Sequence, residues 1–262
     1  MKKQRYYYLI KIQFLGFRYS GWQKQPGQKT IEAMLLKTLK FILPNASYKI
    51  LGAGRTDAKV SALDAAFELF LDHEPLDDLE NFVILFNKNL PPDIRILSII
   101  AKKEKFNIIH HSKEKEYVYL FAYGEKPHPF SAPFVTTILE DLDIEKMKQA
   151  ATLFNGEHNF KVYTARLQEN TKVVRTITSS KIKENTLLQA NFFPEHSYAL
   201  HVKGAGFMRY QIRMMMGALI QVGNGTLSLS DIENSLKADT TMKLTYVAPG
   251  SGLHLNKLDF ID

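Results

Sequence analysis

Arg55, Thr56 and Asp57 stand together in the stretch LGAGRTDAKVSALDAAFELF, directly after a Gly-Ala-Gly turn. A turn between ordered elements is where a rigid scaffold displays reactive groups. A carboxylate there can serve as nucleophile or base, and a guanidinium close by favours its ionised form. Gly52 and Gly54 tolerate positive φ and let another backbone or a ligand approach. The plainer reading makes Asp57 a turn-former. A second group of chemically useful residues is Phe17-Arg18-Tyr19-Ser20-Gly21-Trp22-Gln23-Lys24-Gln25. Aromatic faces beside cations suit stacking on bases and neutralising phosphates, while the alternative is a loop whose aromatics cover the core. Glu116-Tyr117-Val118-Tyr119 alternates, so Tyr117 and Tyr119 share one face of a strand. Arg209 and Arg213 lie four apart, the spacing of one helix face. His110-His111 has no third ligand at metal-site spacing, so no metal site is expected.

The elements that must position these groups follow from periodicity. Arg5–Phe14 reads as a strand. Thr30 caps a helix whose apolar positions are Ile31, Met34, Leu35, Leu39 and Ile42. A short strand at 48–51 leads into the Arg-Thr-Asp loop, and 65–71 continues as a strand. Helical spacing recurs over 76–90, and the paired prolines 91 and 92 enforce an extended exit into a strand at 94–101. The first half is therefore β-α-β-β-α-β, the split βαβ or ferredoxin-like order. In the second half a helix covers 143–154 with Asp143 at its cap. Strands cover 176–183 and 198–203, and small residues at 204–206 open a helix that carries Arg213. His158, in Gly-Glu-His-Asn-Phe, is expected to be a buried hydrogen-bonding residue. Met214, Met215 and Met216 read as core filling, and a short helix covers 231–236.

The chain has 262 residues, a net charge of +7 and no cysteine. Disulfides and thiolate metal sites are excluded. The positive balance favours polyanionic partners. No apolar run reaches the length needed to span a bilayer, and the N-terminal segment reads as a strand rather than a signal peptide. The glycines at 52 and 54 belong neither to a Walker lysine pattern nor to a G-x-G-x-x-G fingerprint, which disfavours a phosphate-cradling small-molecule enzyme.

Ordered stretches along the chain resemble one family, the TruA family of tRNA pseudouridine synthases: Arg18–Gln23, Gly52–Ala62, Asn87–Ile94, His110–Tyr119, Gly156–Phe160, Lys172–Ile177, Phe207–Arg213 and Ala248–Leu255. The resemblance implies two α/β (α+β) domains, ferredoxin-like or RRM-like, with mainly antiparallel sheets joined into one extended sheet. It implies helices on one side and an active-site cleft between the domains. The expected domains are 1–104, carrying the catalytic loop 52–62, and 105–262, carrying Tyr117, Arg213 and Leu253. The implied reaction turns uridine into pseudouridine in the anticodon stem–loop of tRNA, at positions 38 to 40. Asp57 falls on the catalytic aspartate, and Arg213 on the arginine that pairs with it. Tyr117 falls on the tyrosine that stacks on uracil and shuttles the C5 proton. Leu253 falls on the leucine that packs against the base, and Arg55, in the same loop as Asp57, is implied either to bind backbone or to assist in extruding the base. Arg18, Tyr19, Trp22, Gln23 and Lys24 are expected to contact RNA. The chemistry requires no cofactor and no metal. A homodimer in the cytoplasm is implied, with tRNA as partner and no membrane association.

Three positions depart from the family pattern. Lys59 stands where glycine is usual, Asp64 where a small residue is usual, and Ser61 where bacterial members have histidine. They leave open a paralogue acting on another tRNA position or RNA, or an RNA-binding protein without turnover.

Overall fold

The computed structural model describes residues 4–104, 106–165, 167 and 169–261. Two compact units result, Met1–Lys113 with Leu255–Asp262, and Glu114–His254. The fold is mixed α/β with mainly antiparallel strands.

The first unit runs β1 (Arg5–Phe14), α1 (Ile31–Ile42), β2 (Ser47–Gly52), β3 (Ser61–Asp72), α2 (Leu79–Asn89) and β4 (Ile94–Lys102). This is the β-α-β-β-α-β order read from periodicity. β1 pairs antiparallel with both β4 and β3, and β3 pairs antiparallel with β2, so the strands lie 4-1-3-2. Thr30 caps α1 by accepting the Ala33 N–H at 3.3 Å, and Ile31, Leu35 and Leu39 point into the core. The second helix starts at Leu79 rather than at 76, because Asp78 captures the Asn81 N–H at 2.9 Å and fixes the first turn there. β3 is longer than the apolar run 65–71 suggests, because its early residues are paired as well. Part of that pairing is with β10 (Leu253–Phe260), which follows β3 in the sheet order.

Asp64 explains itself in this setting. The Lys11 ammonium reaches both of its carboxylate oxygens at 2.9 Å and the Leu258 carbonyl at 2.6 Å. The Leu258 N–H donates back to Asp64 at 3.2 Å. The carboxylate ties three strands together at a point where a small residue would leave Lys11 without its anion. Deeper in β3, Glu68 is fully buried and accepts the Ile108 N–H at 3.2 Å. Burial raises its carboxyl above the ordinary range, only partly offset by that hydrogen bond.

The second unit contains β5 (Ser112–Tyr123), β6 (Thr136–Ile138), α3 (Ile144–Thr152), β7 (Gly156–Asn159), β8 (Val174–Glu184), β9 (Tyr198–Gly204), α4 (Gln211–Gly223) and α5 (Leu229–Ser235). β9 lies between β5 and β8, and β7 pairs with β8. The succession β5-α3-β8-β9-α4, with strands in the order β5-β9-β8, repeats the plan β1-α1-β2-β3-α2 of the first unit. Asp143 caps α3 by accepting the Lys146 N–H at 3.0 Å. α4 is apolar almost all round, and Met214, Met215 and Met216 are buried in the core. The short helix α5 begins at Leu229, two residues before the expected start, because Ser228 and Asp231 form a reciprocal capping box.

Candidate active site

The Arg-Thr-Asp loop is braced by the segment that precedes α1. The Thr56 carbonyl accepts the Trp22 N–H at 3.1 Å, and the Tyr19 carbonyl accepts the Lys59 N–H at 3.0 Å. The loop also closes on itself, Val60 N–H to the Asp57 carbonyl at 3.2 Å. Gly21 sits directly against it with φ +94°, and a methyl group there would lie 2.6 Å from the Thr56 carbonyl oxygen. The carbonyls of Gly21 and Trp22 in turn accept the Ile31 and Glu32 N–H groups, two of the donors a helix start leaves open. One short segment therefore joins the start of α1 to the loop that carries Asp57. Asp57 is half-buried and Arg55 is exposed.

This brace uses the aromatics that base stacking would require. Tyr19 is 2% exposed and Trp22 3% exposed, and the Trp22 ring packs between Phe14 and Phe67 and over Gly52. The core-covering alternative describes their placement. Gln23 and the Lys24 backbone N–H both bond the Glu32 carboxylate, at 2.5 and 2.6 Å, with the Lys24 side chain left exposed. Arg18 is exposed and pairs with Asp93 at 2.7 Å.

Asp93, in the Asn-Leu-Pro-Pro-Asp-Ile stretch, is the anchor of the brace. It accepts the Tyr19 hydroxyl at 2.6 Å and the Arg18 guanidinium at 2.7 and 2.9 Å, and its carbonyl takes the Leu15 N–H at 2.9 Å. Burial pushes its carboxyl up, but the hydrogen bonds from Tyr19 and Arg18 outweigh burial and hold it below the usual range. A lowered folded value means that the stabilisation is present above the ordinary Asp range and is lost as pH falls through the folded value. Asp93→Asn is therefore expected to destabilise the chain by about 1–3 kcal/mol near neutral pH, from the weakened charge-assisted bonds. Its deficit should shrink in acid, as read by urea unfolding at pH 7 and pH 3. A deficit that stays constant with pH would contradict the assignment.

Lys59, the residue standing in a usual glycine position, has φ +66°. Its ammonium lies 5.6 Å from the centre of the Phe17 ring. The left-handed backbone costs an L-residue about 1–2 kcal/mol, and the cation–π contact recovers part of that. Lys59→Gly is expected to be more stable than Lys59→Ala by about 1 kcal/mol, a difference of about 2–4 °C in Tm. Equal melting temperatures would mean that the loop relaxes without strain. The neighbouring departure, Ser61, has a structural task, since its hydroxyl accepts the Gly16 N–H at 2.9 Å.

The second unit presents its residues around the start of α4. That helix begins at Gln211, later than the small residues at 204–206 suggest, because Tyr210 takes a left-handed conformation at φ +63° and breaks the helical run. Arg209 therefore precedes the helix instead of sharing a helical face with Arg213. The two guanidiniums still meet at the Tyr210 ring, 5.1 and 4.9 Å from its centre. The Arg213 Nε–H donates to the Ala248 carbonyl at 2.7 Å, which aligns the guanidinium against the segment leading to Leu253. Tyr117 is half-buried and meets Phe207 edge-on at 5.4 Å. Tyr119, on the same face of β5, is fully buried, and its hydroxyl donates to the Pro249 carbonyl at 2.7 Å. Gly252 packs against the Leu120 carbonyl and the Tyr119 ring, which seats Leu253, buried, at the start of β10. Tyr117, Arg213 and Leu253 are thus held by contacts internal to this unit.

His158 is half-buried and exposed enough to reach solvent, donating from Nε2 to the Asn155 carbonyl at 2.8 Å. His111 contacts Asn107 and stacks on Phe106. Among the described residues no group of three or more His, Asp or Glu side chains could hold a metal ion, and no helix is long and apolar enough to cross a membrane.

Residues 150–260 match the family model described as tRNA pseudouridine synthase. Similarity to curated proteins extends over almost the whole chain. tRNA pseudouridine synthase A of Thermodesulfovibrio yellowstonii is 30% identical over 258 residues, covering 95% of this chain and 97% of the relative. The synthase A of Oenococcus oeni is 29% identical, covering 96% of both chains. That of Aster yellows witches'-broom phytoplasma is 30% identical, covering 97% of this chain and 99% of its own. The chain belongs to the TruA family of tRNA pseudouridine synthases. The TruA-family loop Gly52–Ala62 lies outside the segment matched by the family model but inside the full-length similarity. As a member of this family the chain is an isomerase.

Proposed function

We propose that this TruA-family protein isomerises uridine to pseudouridine in the anticodon stem–loop of tRNA, with Asp57 as the catalytic carboxylate. The observation that supports this most is a rigidly braced Arg-Thr-Asp loop in a chain similar to tRNA pseudouridine synthases from end to end. The reaction breaks the bond between C1′ of the ribose and N1 of uracil, turns the base, and rejoins it through C5. The C5 proton leaves and N1 gains one, so the product is an isomer and no redox partner is consumed. Asp57 supplies the carboxylate that attacks or deprotonates at the sugar–base junction. Arg213 supplies the cation that keeps it ionised. Tyr117 stacks on the detached uracil and moves the C5 proton, Leu253 packs against the base, and Arg55 binds the backbone. Arg18 and Lys24, both exposed, contribute charge toward RNA, and Gln23 a polar contact. Tyr19 and Trp22 serve the same end from beneath, by holding the loop. Extruding a stem uridine costs a few kcal/mol of unstacking, which base contacts and phosphate neutralisation offset. The working form is a cytoplasmic homodimer.

Chemical mapping of pseudouridine in tRNA treated with the protein tests the position. Modification at 38, 39 or 40 supports the anticodon reading. Modification elsewhere makes this a paralogue, the alternative that Lys59 and Asp64 leave open. Light scattering that gives a monomer at every concentration would remove the dimer.

A further inference from the structure

We infer that Arg175 binds a backbone phosphate of the tRNA beside the uridine held at Tyr117, making it a substrate-binding residue of the second unit. The inference rests on the tRNA reaction proposed above. Arg175 is half-buried near the start of β8, opposite His158 of β7. Its face follows from register. Arg175 and Ile177 share a face, and Ile177 is opposite Gly204. Gly204 shares a face with Val202, which is opposite Tyr117. The hollow at Gly204 is filled by the Phe207 ring, 3.2 Å from where a Cβ would be, and that ring meets Tyr117 edge-on at 5.4 Å. Arg175 therefore lies on the Tyr117 side of the sheet. It is two strands away, about 10 Å across the sheet and about 13 Å along it. That span suits a phosphate of a neighbouring nucleotide and is too long for the uracil itself.

The Arg175 Nε–H is buried and has no hydrogen-bond partner, and among the described residues no carboxylate pairs with the guanidinium. The nearest acid in register, Glu157, is opposite Thr176 and so lies on the other face. A buried donor left open costs about 1–3 kcal/mol, so an arginine that serves only the fold turns its Nε–H to an acceptor. Here the Nε edge is turned inward unused, which leaves the two Nη groups for a ligand. They form a planar fork that matches two phosphate oxygens. A second cation is tied to the same place. The Phe160 N–H donates to the Val173 carbonyl at 3.0 Å, and the Thr164 hydroxyl donates to the Arg209 carbonyl at 3.0 Å. Segment 160–164 thus joins the approach to β8 to the exposed Arg209, which meets Arg213 at the Tyr210 ring. Three guanidiniums carried around one short segment suit a polyanionic strand.

The experiment measures tRNA binding against salt concentration, and kcat and KM for pseudouridine formation, for the wild type, Arg175→Met, Arg175→Gln and Arg175→Lys. Lys181→Met is the control, since it removes the same charge from the opposite face of β8, where Lys181 stands between the buried Ser180 and Ile182. Loss of one phosphate contact should reduce the magnitude of the log–log salt slope by about 0.7–0.9 in Arg175→Met and Arg175→Gln. Arg175→Lys should keep the wild-type slope, and so should the control. KM should rise about tenfold in the Met and Gln variants with kcat nearly unchanged, because a contact remote from the reacting atoms acts on binding alone. A wild-type slope in Arg175→Met and Arg175→Gln, or an equal loss of slope in Lys181→Met, overturns the inference. A fall in kcat with the slope intact overturns it as well. If methionine impairs folding, the glutamine and lysine variants decide the matter alone. Absence of pseudouridine with the wild-type protein would count against the proposed function, while the salt slopes would still score the phosphate contact.

Discussion

Asp57→Ala will abolish pseudouridine formation, lowering kcat by at least about 10⁴-fold, while tRNA affinity and melting temperature change little. A loss of that size corresponds to about 5.5 kcal/mol of transition-state stabilisation. It is expected because no other carboxylate is placed on the loop: the flanking positions are Thr56 and Ala58. Folding should be spared because the loop is shaped by backbone hydrogen bonds through Thr56, Lys59 and Val60, which a side-chain truncation leaves in place. Single-turnover assays, binding titrations and thermal melts separate the three quantities. Turnover that survives the substitution would remove Asp57 from the mechanism. Turnover lost together with affinity and stability would make it a structural residue.

Gly21→Ala should be nearly as damaging, by a different route. Its added methyl would meet the Thr56 carbonyl oxygen at 2.6 Å and the Asp57 carbonyl carbon at 3.1 Å, both backbone atoms that cannot rotate away. The φ of +94° adds backbone strain of about 1–2 kcal/mol. The loop must shift, and displacement of a catalytic group by about 1 Å is worth about 100-fold in rate. We expect kcat to fall by about 100-fold or more and stability by about 2–4 kcal/mol. Gly27→Ala is the control. Gly27 also has positive φ, at +68°, but nothing lies within 4 Å of its added methyl. It should lose stability only by the strain and keep its rate. Equal rates for the two variants would refute the claim that segment 16–24 holds the catalytic loop.

Much of the fold was legible because its signals are local. Thr30 and Asp143 are side-chain caps followed by helical spacing, and the helices begin where those residues place them. The alternation of Tyr117 and Tyr119 needs only neighbouring residues. What was not legible depends on distant partners or on one unusual dihedral. Whether Tyr19 and Trp22 face solvent or core is decided by Asp93, 74 positions beyond Tyr19, and by Phe67 beneath Trp22. The aromatic and cationic composition of that segment is the same in either case. The late start of α4 depends on Tyr210 at positive φ, which residue type does not announce. Asp64 reads as a departure until Lys11 and Leu258, 53 and 194 positions away, are beside it. The reactive loop itself was legible by resemblance to its family, and its rigidity became visible only in the hydrogen bonds from Tyr19 and Trp22.

Tritium release from tRNA carrying uridine labelled at C5 tests the central claim most directly, because only rejoining through C5 expels that label. The wild-type protein is expected to release tritium in an amount equal to the pseudouridine formed, with no added metal, nucleotide or reductant. No release from tRNA that the protein demonstrably binds would contradict the assignment of pseudouridine synthase activity on tRNA.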